Sequence, residues 1–170
     1  MKENSSIKEK VLHPEQAMKA EAATARGREG GAPERSPEGC GDELDERICT
    51  ALRAASDKKA LDPVVLDLRA IASFTDYFII TSGTNPRQVQ AVADEVVEQL
   101  KKQGTRAARV EGYNTAEWVL VDYGDFVVHV FEDKARRFYD LERLWRDAAR
   151  VPLPSEFAEG RDEGSLRKES

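Results

Sequence analysis

Four groups of residues in this chain are of the types that do chemistry. The first is Ser82-Gly83-Thr84-Asn85-Pro86-Arg87. A strand, a small-residue loop and a helix start together form the arrangement that cradles phosphate, here with one cation, Arg87. Pro86 removes one amide, and neither a P-loop Lys nor the spaced glycines of a dinucleotide site is present. The competing reading is an ordinary capped helix entrance. The second group is the acids Asp67, Asp76, Asp122 and Asp125. Paired carboxylates on adjacent strands can hold Mg²⁺ for phosphoryl transfer. The chain has no Asp-x-Asp, and Asp122 and Asp125 flank a turn, where carboxylates take backbone amides. The third is His129, set among Val127, Val128, Val130 and Phe131 with no Ser or Cys nearby in sequence. It reads as a buried polar group before it reads as a general base. No catalytic residue, metal site or cofactor is therefore assigned.

The fourth group is aromatic and cationic: Trp118, Tyr123 and the helix start Lys134-Ala135-Arg136-Arg137-Phe138. Trp, Tyr and Arg are over-represented among binding anchors. Strand alternation puts Trp118, Leu120 and Asp122 on one face and Val119 and Val121 on the other. An acid at one end leaves two readings of Trp118. It is partly exposed beside Tyr123, or it caps the core under the last helix. Arg136 and Arg137 are either a solvated helix start or the charged rim of the same patch.

The elements that must position these residues follow from pattern. Leu44, Ile48, Ala51, Leu52 and Ala55 recur at helical spacing, giving a helix over about 43–57. Asp62-Pro63 ends it, and Val64 to Leu68 is a strand. Tyr77 to Thr81 is a continuously apolar, central strand. Asn85 as N-cap and Pro86 at the first position open a helix over about 86–103, closed by Gly104. Arg106 to Val110 is a weaker strand. Glu117 to Phe131 is a hairpin turning at Tyr123-Gly124. A last helix over about 134–149 turns Phe138, Leu141, Trp145 and Ala148 inward. This order predicts an α/β, or α+β, layered fold with a mixed five-stranded sheet.

Composition divides the 170 residues. Residues 1–43 hold 7 Lys/Arg and 9 Asp/Glu with a Gly/Pro-rich run, and read as a disordered extension. Residues 44–150 read as the domain, and 151–170 as a flexible tail. The domain holds 16 basic and 18 acidic residues. That balance argues against broad nucleic-acid binding, which needs clustered cations. No apolar run is long enough to span a membrane. Glu3, Glu9, Glu15 and Glu21 speak against a mitochondrial transit peptide, and the N-terminus lacks a secretory pattern. Cys40 and Cys49 are too few for a disulfide framework and are expected to carry no paired chemistry. A soluble, reducing compartment is the expectation.

Four stretches in order are similar to one family. They are Asp76 to Thr84, Glu111-Gly112, Glu117 to Phe131, and Arg137 to Trp145. They resemble the ribosomal silencing factors, the Iojap family, over about 44–148. The resemblance implies a cytoplasmic, non-enzymatic translational repressor with a nucleotidyltransferase-like fold that lacks the catalytic pattern. Such a protein binds the large ribosomal subunit through ribosomal protein L-fourteen, at the intersubunit face, and blocks joining of the small subunit. It implies a homodimer of the free chain and little direct nucleic-acid contact. It maps partner contacts to Trp118, Asp122, Tyr123 and Gly124, with Arg136 and Arg137 at the helix start. The family often carries a leucine-like residue where Tyr123 stands. The alternative is a nucleotide- or phosphate-binding enzyme that uses the 82–87 loop.

Overall fold

The computed structural model describes residues 44–157. The expected extension 1–43 and the end of the expected tail, 158–170, therefore lie outside the described residues. Helix α1 is Glu46–Asp57 and helix α2 is Pro86–Lys102. Strands β1 (Leu61–Asp67), β2 (Tyr77–Gly83), β3 (Arg109–Glu111), β4 (Trp118–Asp122) and β5 (Phe126–Glu132) follow in chain order. Two short helices, α3 (Asp133–Tyr139) and α4 (Leu141–Leu144), and a two-residue strand β6 (Ala149–Arg150) complete the domain.

The helix ends form as their residues dictate. Asp45 accepts a hydrogen bond from the Arg47 amide, and Asn85 accepts one from the Gln88 amide. Lys101 and Lys102 sit where the negative end of the α2 dipole favours cations. Gly104, at φ 88°, lets the Thr105 amide reach back to the Leu100 carbonyl.

The sheet has six strands in the order β3-β4-β5-β2-β1-β6, one more than expected. Strand β6 pairs antiparallel with β1 through only Leu66–Arg150 and Asp67–Ala149, too short a run to leave a periodic signal. Every pairing is antiparallel except the central one, β2 beside β5. Side chains alternate as the strand period requires. Ile79, Val119, Val121, Val128 and Val130 face α1 and α2. Phe78, Ile80, Trp118, Leu120, Val127 and Phe131 join Phe74, Leu141 and Trp145 on the other side. Both faces of the sheet are thus covered, and neither is left open for a partner.

Three further expectations are corrected. The last helix breaks at Asp140, whose left-handed backbone (φ 47°) separates α3 from α4. The break turns Phe138 outward, 78 % exposed, while Leu141 and Trp145 stay buried. The tail starts later than residue 151. The Val151 amide donates to the Val65 carbonyl, and Phe157 is buried in the α1–α2 side of the core. Cys49 is buried on α1 and disulfide-bonded, against the expectation of no pairing.

Candidate partner-binding surface

The 82–87 loop is a helix cap in which Thr84 and Asn85 are engaged by hydrogen bonds. The Gln88 side-chain oxygen accepts from both the Thr84 amide (2.7 Å) and the Thr84 hydroxyl (3.0 Å). The Gln88 side-chain nitrogen donates to the carbonyls of Lys58 and Lys59, pinning the loop to the end of α1. A Cβ on Gly83 would meet Gln88 and Val89 atoms at 3.2 Å, so the glycine serves close packing of the loop on its own helix.

Three of the four candidate acids are held by arginines. Asp67 takes the Arg69 guanidinium (2.7 Å), which lowers the pKa of its carboxyl. Asp122 is buried, accepts from Arg109 (2.9 Å) and accepts the Gly124 amide (2.8 Å). Asp125 pairs with Arg47 across to α1 (2.9 Å). These are turn-fixing and strand-fixing contacts. No group of three or more metal-ligating side chains occurs among the described residues.

His129 is 1 % exposed. Its Nδ1 accepts from the Trp118 indole N–H (3.1 Å), and Phe78 packs edge-on at 4.5 Å. Burial pushes the imidazole pKa down to about 3, so the ring stays neutral at neutral pH and is walled off from any substrate. A pH dependence of stability follows. The depressed group stabilises fully above its unfolded pKa, about 6.5, and that contribution is lost as pH falls toward the folded value. Between pH 7 and pH 5 the loss is expected to be about 2 kcal/mol. Urea midpoints across that window check this. His129→Gln, which keeps an acceptor for Trp118 without titrating, should flatten the profile. An equally steep profile in the variant would assign the slope to other groups.

The aromatic residues expected to form one patch lie on opposite faces and at opposite ends. Trp118 is buried (3 % exposed), its ring tilted against those of Phe131 (4.7 Å) and Tyr139 (4.9 Å). Of the two sequence readings, capping the core is the one realised. Tyr123 is five positions on, so alternation sends it to the α1–α2 side. There it stacks on Phe126 (4.8 Å, 17°) and is half-buried. Its hydroxyl is buried with no hydrogen-bond partner among the described residues. Burial pushes that phenol up to about 12. Gly124, at φ 86°, is the exposed tip of the turn. The turn and α3 flank the two ends of β5, a separation of about 20 Å along the strand.

The two arginines also part. Arg136 is an internal strut. It donates to Glu142 (3.0 Å), the Leu61 carbonyl (3.3 Å) and the Ser82 hydroxyl (3.3 Å), while Arg150 holds the other oxygen of Glu142. Arg137 points out, its side chain 71 % exposed and 3.6 Å from Asp133. Beside it the break at Asp140 opens a concavity of about 650 Å³ lined by Phe138, Tyr139, Leu144 and three arginines. Sequence periodicity assigned Phe138 to the core. The overlooked signal is the adjacent pair Phe138-Tyr139. Neighbours on a helix point about 100° apart, and on this short helix Tyr139 takes the inward direction while Phe138 faces out.

This geometry defines a layered α/β domain with sealed sheet faces and an exposed aromatic and cationic shoulder, the make-up of an interaction domain. The family model described as "Ribosomal silencing factor during starvation" matches residues 42–170. The chain belongs to that family. It is 44 % identical over 108 residues to ribosomal silencing factor RsfS of Halalkalibacterium halodurans, covering 64 % of this chain and 92 % of that protein. The Bacillus subtilis RsfS is 46 % identical over 103 residues, 61 % of this chain and 87 % of its own length. The chloroplastic protein Iojap of Zea mays is 34 % identical over 60 % of this chain and 44 % of its own length. A crystal structure from Bacillus halodurans superposes with a TM-score of 0.58 at 42 % identity, covering 64 % of this chain and 98 % of that one.

Proposed function

We propose that this chain is a cytoplasmic translational repressor that binds the large ribosomal subunit at its intersubunit face, on ribosomal protein L-fourteen. It blocks joining of the small subunit by occupying the space the small subunit must enter. The observation that carries this reading is the match to the silencing-factor family across 42–170. Occlusion needs no catalytic group. It needs a contact of roughly 800 Å² per partner in the right place. The Thr84 amide is taken by Gln88, which leaves the 82–87 loop one donor fewer for a phosphate and favours repression over the phosphate-binding alternative. We place the contact at the α3 end of the domain, where Arg137 is exposed. Trp118 and Arg136 hold that end in place, while Asp122 and Tyr123 fix the turn that presents Gly124. The free chain is proposed to be a homodimer.

The test is sedimentation of purified large and small subunits with and without the chain. The chain should travel with large subunits and, in molar excess, lower the fraction of joined particles. Joining that proceeds undisturbed while the chain is bound would remove the occlusion mechanism. Failure to travel with large subunits at all would remove the function.

A further inference from the structure

Phe138 is the most exposed large apolar side chain among the described residues, at 78 %. An aromatic ring so placed on a helix is out of keeping with a domain whose other Phe residues are buried. It is also held from below. Phe138 packs edge-on against Tyr139 (4.9 Å, 89°), Tyr139 packs at a tilt against Trp118 (4.9 Å, 40°), and Trp118 is fixed by His129 (3.1 Å). A continuous aromatic column thus runs from the sheet to the surface. The left-handed residue Asp140 ends α3 directly beyond it, and Leu144, 46 % exposed, faces the same concavity. The lining arginines Arg143 and Arg146 make no ion pair among the described residues, and Asp147 lies beside them.

We propose that Phe138 is the anchor of the ribosomal contact, and that it inserts into an apolar pocket of a protein component of the large subunit, bordered by carboxylates that meet Arg143 and Arg146. This rests on the function proposed above and names the chemistry of its partner. The local charge selects protein over RNA. Residues 133–147 hold five cations and four acids, a near balance that a polyphosphate would not favour. Two of those acids, Asp140 and Asp147, line the concavity itself. Leu144 adds aliphatic area beside the ring. Aromatic and aliphatic anchors with arginines at the rim are the composition of a protein–protein contact centre. Anchoring from a preformed column also limits the side-chain ordering lost on binding.

The experiment measures binding of the full chain to purified large subunits, with the thermal midpoint as a control for folding. Phe138→Ala should weaken binding about 30-fold, the size typical of a central anchor. It should leave the midpoint unchanged, because the ring is exposed. Leu144→Gln should weaken binding less. The double change Arg143→Glu with Arg146→Glu should weaken binding and reverse its response to salt. Gly104→Asn, at a left-handed position with open space around it, should bind as the unaltered chain does. Normal binding by Phe138→Ala, with the unaltered chain binding well, overturns this inference and leaves the proposed function standing. Phe138-dependent binding to protein-free ribosomal RNA overturns the assignment to a protein partner. An unaltered chain that ignores large subunits overturns both.

Discussion

Trp118→Ala is expected to lower the stability of the domain by about 4 kcal/mol, within the range for emptying a buried Trp site. The side chain is 3 % exposed and packs against Phe131 and Tyr139. Its removal leaves a cavity and deprives His129 Nδ1 of its donor, so a buried acceptor goes unpaired. It also removes the floor under Tyr139. Against a typical total of 5–15 kcal/mol, the loss is large enough to shift a urea midpoint well outside error. Trp118→Phe should recover most of the packing but not the hydrogen bond. A change below about 1 kcal/mol for Trp118→Ala would be incompatible with a fully packed site. Weakened ribosome binding by Trp118→Ala therefore cannot be read as a lost contact unless Phe138→Ala has the same effect without unfolding.

The second large effect concerns the chain beyond the last strand. Phe157→Ala is expected to cost about 3 kcal/mol, the lower end for a buried Phe because the ring sits at the margin of the core. Ending the chain at Arg150 should cost at least as much. That truncation also removes Leu153 and the bond from the Val151 amide to the Val65 carbonyl. Ending it at Phe157 should keep the midpoint of a chain that retains these contacts. Equal midpoints for chains ending at 150 and 157 would show that the segment contributes nothing.

Local signals carried the helices and the hairpin. Asn85-Pro86 opens α2, Gly104 closes it, and Val89, Val92, Ala93, Val96 and Leu100 mark its inner stripe. Alternation along Trp118–Asp122 assigned those residues to the correct faces of β4. The same rule sends Tyr123 away from Trp118, and grouping them by closeness in sequence set that rule aside. The parallel contact of β2 with β5 is non-local, so no short-range spacing encodes it. Asp140 is a backbone event. An Asp in the left-handed region breaks a helix whose apolar spacing continues through it. Phe157 follows Pro152-Leu153-Pro154 and precedes a charged end, so composition hides one buried ring.

The central pair of strands has a bearing on how the chain comes to be folded. Tyr77 lies opposite Phe126, 49 positions later. Strands β1 and β2 pair antiparallel across a short connection, and α1 and α2 can dock on them early. The middle of the sheet nevertheless stays open until β5 is available, and β4 can only join beside β5. During synthesis the N-terminal half therefore emerges with the apolar edge of β2 unpaired, the kind of edge that invites wrong partners. Closure of that gap is the slow, long-range step expected to set the folding rate. A protein proposed to act on large ribosomal subunits thus completes its own core only after nearly all of the domain has left a ribosome.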